Sequence, residues 1–360
     1  GSNAQTANTT INAVTFSDPT TFDTGSGTIT VSGLLTGTGD ASFTFSGTTS
    51  LGAGITTADQ NITFNNPTTA TTTLALTAGA GAVDFNSTLG ITNNAITISA
   101  DEIDFDGGDD SVTGGGSATL VLQPGQITTP VVVGGSANNA TELNLTSGTG
   151  EDLAAIADGF GSFIIGSTTQ TSTLTLTNAL SMRDPATFRT ANGGSISGGT
   201  LTGTGNASFV FSGPTTIGAI TTNNGAVRFN NTASLGGDIT VTGGNSASFV
   251  RFDGVTTTTA AVVIDSGDGT ITMNSTFGAG ANALTLSAGE VDIAAALTGS
   301  STLAIKTTNV ATPIVVAGTV GASQLDLTSA EAALISGFSG ITVGSNAQTA
   351  NTTINAVTFS

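Results

Sequence analysis

Seventeen residues, GSNAQTANTTINAVTFS, occupy positions 1–17 and return unchanged at positions 344–360, which sets a period of 343 residues. A domain that folds once has no use for restarting its own text. The chain therefore reads as one unit of a tandem array, opened at an arbitrary point. Its opening GSNA resembles a cloning scar, but the same letters recur inside the array text and are taken as native.

A second, more diverged repetition lies inside the period. GLLTGTGDASFTFSG (33–47) returns as GTLTGTGNASFVFSG (199–213), FNSTLGITNNAITISADEIDF (85–105) as MNSTFGAGANALTLSAGEVDI (273–293), and NAVTFSDPTTF (12–22) as NALSMRDPATF (178–188). The half-repeats run over about 20–185 and 186–360. Their offset is not constant, since Phe43 to Phe209 is 166 positions whereas Phe85 to Met273 is 188. The second half thus takes up about 22 extra residues near Gly236 to Asp253 and then resumes its phase. A fold that absorbs such a step without disturbing its neighbours is modular at that length, which is the length of one solenoid coil.

The local pattern agrees. Short segments such as NAVTF, GTITV, ASFTF, NITF, AVDF, EIDF and PVVV carry apolar residues two apart and are bounded by Gly, Asn, Asp or Pro, the signature of strands. They recur every eight to eleven residues, so two or three fit in a coil of about 22. The expected fold is all-β, a parallel β-helix of roughly 15 or 16 coils at about 4.8 Å, forming one continuous solenoid over 1–360 and a rod of roughly 75 Å per repeat. Val, Ile, Leu, Ala and Phe belong inside it, Thr and Ser outside, and Gly or Asn at the bends. Phenylalanine is the sole aromatic, with 18 copies and no Tyr or Trp, which suits buried ring stacks that have nowhere to place a hydroxyl or indole N–H. Two segments, DLAAIADGF (152–160) and AEAALISGF (330–338), break the rhythm and read as helical turns near 152–158 and 330–336, stopped at Gly159 and Gly337.

Composition narrows the function classes. At 38% hydrophobic residues and a mean hydropathy of +0.26, the chain is too apolar for a disordered Gly/Ser/Thr tract. No apolar run reaches the roughly 20 residues of a membrane-spanning helix. The absence of cysteine excludes disulfides and thiolate metal sites. A net charge of −19 repels nucleic acid and anionic membranes and attracts cations.

The densest acidic stretch, DEIDFDGGDD, places Glu102, Asp104 and Asp106 on the outer face, with Asp109 and Asp110 in the following turn. An oxygen-only set of this kind is the candidate Ca²⁺ site. Its counterpart in the second half keeps Glu290 and Asp292 but has Ala294 in place of Asp106, so a solvated acidic face is the competing reading. No other cofactor is expected. The basic residues are Arg183, Arg189, Arg228, Arg251 and Lys306, and there is no histidine. Carboxylate-based polysaccharide cleavage is therefore poorly supplied, and the chain is read as a non-enzyme. Arg251 near Asp253 reads as a surface ion pair.

The segments LTLSAGEVDI (284–293), EDLAAIADGFGSFIIGS (151–167) and RDPATF (183–188) together resemble the repeats of giant filamentous-haemagglutinin-like surface proteins of cyanobacteria and other Gram-negative bacteria. The resemblance spans both halves and is specific for fold rather than for any site. It implies a right-handed parallel β-helix, secretion to the cell surface, and a role as an extracellular fibre or adhesin. The expected partner is the adjacent copy of the repeat, end to end, with lateral self-association or a surface polysaccharide as further contacts. An adhesin whose lateral face binds a glycan or Ca²⁺ is the alternative.

Overall fold

A computed structural model describes residues 5–135, 141–177, 179–243, 245, 247–318, 321 and 323–359. It is a parallel β-solenoid of about 14 turns. The chain divides into two compact units, Gly1–Thr177 with Ala186–Gly194 and Asn178–Pro185 with Ser195–Ser360. Among the described residues no helix is long and apolar enough to cross a membrane.

The first unit has three strand columns. One runs Thr9–Ile11, Thr28–Val31, Thr48–Leu51, Thr68–Ala70, Leu89–Ile91 and Val112–Gly114. The second begins Val14–Phe16, Leu35–Gly37 and Ile55–Thr56, and the third Thr20–Phe22, Phe43–Phe45 and Ile62–Phe64. Each strand pairs in parallel with the one a coil later, as in Val14↔Leu35, Leu35↔Ile55 and Ile55↔Leu76. The two long strands, Leu74–Phe85 and Ala95–Phe105, serve two columns at once. Leu76 pairs with Ile55, and Val83 pairs with Ile62. The bend between them falls at Gly79, whose φ of 60° lies in the left-handed region and where the register shifts.

Alternation decides which side is buried. In Phe43–Phe45 both rings are fully buried and Thr44 is half-buried. Because equivalent residues face one another from coil to coil, the rings stack. Phe22, Phe45, Phe64, Phe85 and Phe105 form a continuous column with centroid spacings of 5.2, 4.8, 4.8 and 5.7 Å. In the second unit Phe211, Phe229 and Phe252 repeat it at 4.9 and 5.3 Å. The expected segregation of threonine to the outside has exceptions. Thr49, Thr68, Thr215 and Thr256 point inward and are buried. Each donates its hydroxyl proton to the carbonyl two residues earlier (Gly47, Asn66, Gly213 and Gly254), so the buried polar atom is satisfied by its own chain.

The extra residues of the second half form one additional rung. From Phe45 the column reaches Phe85 in two steps, through Phe64. From Phe211 it reaches Met273, the counterpart of Phe85, in three, through Phe229 and Phe252. Coil lengths otherwise stay near 20 residues, with two exceptions. Leu122 pairs with Ile165, 43 positions on, and Leu303 pairs with Ile341, 38 positions on. These two long coils account for about 14 turns where uniform coils of 22 suggest 15 or 16.

Candidate functional site

The long coils hold the richest polar arrangement of each unit, because each contains a strand laid out of sequential order. Val131–Gly135 pairs on one side with Thr173–Leu176, the next coil, and on the other with Leu143–Thr146, which comes later in the chain but packs against the Phe105 end of the preceding rung. All four residues of Leu143–Thr146 are buried. A single helical turn, Asp152–Ala155, follows it.

Asp152 ties this inserted strand to its neighbour. Its carboxylate is buried and accepts the Phe105 N–H at 2.9 Å on one oxygen, and the Thr146 N–H at 2.8 Å and hydroxyl at 2.7 Å on the other. A side chain thus stands where a strand carbonyl would continue the ladder. Burial pushes the Asp152 carboxyl above its usual range, against the three hydrogen bonds that favour its charged form.

The second unit repeats the joint with different residues. Ile314–Val316 pairs with Leu325–Leu327 on one side and Thr352–Ile354 on the other. The helical turn is Ser329–Ala332, and its Glu331 accepts the Ile293 N–H at 3.1 Å and the Thr328 N–H and hydroxyl, both at 2.8 Å. Thr328 in turn accepts the Glu331 N–H at 3.2 Å, completing a capping box. Glu331 does here what Asp152 does in the first unit. Its longer side chain matches a shorter connection, three residues from Thr328 against six from Thr146 to Asp152.

A glutamate lies beside each joint. Glu102 has a buried Oε1 with no hydrogen-bond partner, and its carboxyl is pushed up to about 8 by burial first, then by the charges of Asp104, Asp152 and Asp84. Glu290 accepts the Asp326 N–H at 3.1 Å and is pushed up to about 7, by burial first and then by Asp292 and Asp326. The residues of the acidic stretch separate between these tasks. Ile103 and Phe105 are buried as expected, Glu102 and Asp104 flank the joint, Asp106 is exposed, and Asp109 accepts the Gly150 N–H at 2.6 Å. Asp110 sits in the turn with φ 55°. Among the described residues no group of three or more such side chains is placed to hold a metal ion. The arrangement accepts backbone hydrogen bonds.

Sequence reasoning did not single out Asp152 or Glu331. The signal was present for Glu331, since Thr328-Ser-Ala-Glu331 is a capping-box spelling. For Asp152 no local spelling marks a partner 47 positions away. The helical turns end at Ala155 and Ala332, earlier than expected. Gly159 and Gly337 do not stop them. With φ 130° and 81°, these glycines instead turn the chain so that Phe160 and Phe338 lie over Gly114 and Gly299, where no Cβ would fit.

The expected ion pair is present in the second unit and is larger than a pair. Arg228 and Arg251 are ladder neighbours, and Asp253 bridges them at 2.8 and 2.7 Å while accepting from Asn274 at 2.7 Å. Although burial raises the Asp253 carboxyl, the bonds from Asn274, Arg251 and Arg228 hold it below its usual range.

Comparison with known proteins finds no matching family model, no matching curated protein and no matching solved structure. The class defined by the structure is the all-parallel β-solenoid with tandem coils.

Proposed function

We propose that this chain is a repeat segment of a long extracellular fibre on the cell surface, made stiff by ladder pairing from coil to coil. One observation carries the reading: parallel pairing runs from coil to coil along a chain whose text restarts after 343 residues, so the same ladder can continue through successive repeats.

The resemblance to filamentous-haemagglutinin-like repeats supports placing the fibre outside the cell, with the next copy as its end-to-end partner. Electron microscopy of the native cell surface tests it. Thin filaments are expected with an axial spacing near 4.8 Å and, at about 14 turns, a longer repeat of roughly 65 Å. Filaments lacking both spacings, or a surface without filaments, would refute the fibre.

A further inference from the structure

In the second unit, the strands that carry the Phe211 column turn their alternate residues outward. Because register is kept from rung to rung, Arg228, Arg251, Thr272 and Asp292 stand in one line on that face. Phe249, Thr270 and Glu290 form the line on one side of it, and Asp253, Asn274 and Ala294 the line on the other. All ten are exposed or half-buried. Charge is unevenly spread along the central line. At one end two guanidiniums share a single carboxylate, Asp253, which leaves a net positive charge. At the other, Asp292 and Glu290 form no ion pair among the described residues. Burial first pushes both carboxyls up, followed by Glu331 at Asp292 and by Asp292 and Asp326 at Glu290.

We propose that two copies of this chain pack side by side and antiparallel through this face, with Arg251 of each against Asp292 of the other. Within one molecule these residues lie two rungs apart, roughly 10 Å, and do not meet. A second copy turned end for end brings them together. A two-fold axis across the ladder at Thr272 generates the contact and makes it isologous. It sets Thr272 opposite Thr272, Asn274 opposite Asn274, Phe249 opposite Glu290 and Asp253 opposite Ala294, so that no carboxylate faces a carboxylate. A parallel pair would instead oppose Arg251 to Arg251 and Asp292 to Asp292.

A face of four rungs by one short strand, roughly 20 by 13 Å, falls short of the roughly 800 Å² per partner of a standard interface, so single chains should pair weakly. The net charge of −19 opposes approach at long range, but it is screened beyond about 8 Å at physiological salt. In a tandem array the face recurs once per 343 residues, and two antiparallel arrays keep that spacing, so weak contacts add along their length. The pairing itself does not depend on the array.

The absence of cysteine lets a single substitution at the axis test the contact in the full chain. Thr272→Cys of one molecule faces Thr272→Cys of the other, and a bismaleimide spanning about 10 Å, the separation of packed sheets, is expected to link them into a dimer on a denaturing gel. Thr216→Cys, more exposed but on a different sheet, is the control and is expected to link severalfold more slowly. Adding Asp292→Arg to the Thr272→Cys chain, at an exposed position without an ion pair, is expected to slow linking severalfold. Adding Arg251→Glu as well restores the complementarity with the signs exchanged, and is expected to restore the dimer. Linking of Thr216→Cys as fast as Thr272→Cys, no loss on Asp292→Arg, or no rescue by the exchange overturns the proposal. A parallel pair, with like charges opposed before and after the exchange, would show neither the loss nor the rescue. Failure of the fibre reading would appear instead as the missing axial repeat on the native surface.

Discussion

Glu102 carries the clearest consequence at the scale of one residue. Its carboxyl is raised from 4.5 to about 8 in the folded chain, by burial first and by Asp104, Asp152 and Asp84 after it. Between those values the folded state holds a proton that the unfolded state has released, so its contribution to stability is complete below about pH 4.5 and is lost as pH rises through 8. Glu290 acts in the same sense over a narrower window, ending near 7. Glu102→Gln, which keeps the shape and removes the charge, should flatten this decline. The gain at pH 9 should be roughly 1 kcal/mol once solvent screening of a half-exposed group is allowed for. Thermal unfolding of both chains at pH 5 and pH 9 checks it, and equal pH slopes would refute the assignment. Asp152 is raised by burial as well, but both its oxygens are engaged as acceptors. Asp152→Ala leaves the Phe105 N–H, the Thr146 N–H and the Thr146 hydroxyl without their acceptor, at a cost of roughly 2–4 kcal/mol. Hydrogen exchange should report it as lost protection at the Phe105 and Thr146 amides, while amides of distant rungs such as Thr30 keep theirs. These joint residues were only partly legible. Glu102 stood out as acidic in the sequence, but its like-charged neighbour Asp152 is brought to it by the out-of-order strand.

At the scale of elements, the stacked rings dominate. Phe64 lies between Phe45 and Phe85 at 4.8 Å from each and is buried. Phe64→Ala should open a cavity within the column and cost about 3–5 kcal/mol. Phe22, at the end of its column and partly exposed, should cost much less on the same substitution. Because the ladder pairs each coil with its neighbours, the loss should appear as local opening around Ile62–Phe64, followed by limited proteolysis with a protease that cuts at apolar residues. Equal sensitivity at the two positions would contradict this account. The rings were readable in advance, since period-two alternation fixes which side faces in. The length of Leu74–Phe85 was not, because Gly79 reads as a break in sequence. In the fold it is a bend within one continuous ladder.

At the scale of the whole molecule, the repeat sets the coils and the two long coils depart from it. The sequence by itself determined the strand period, the coil length, the inward rings and the one-rung insertion before Met273, because each is a local pattern repeated at fixed spacing. It did not determine the course of the two long coils. Leu143–Thr146 and Leu325–Leu327 look like ordinary next rungs, yet each is laid on the far side of the strand before it. The physical reason lies in the ladder. A parallel strand makes its hydrogen bonds to other coils and none within itself, so its own letters set only which side is apolar. The neighbouring rung decides whether it pairs, and with what.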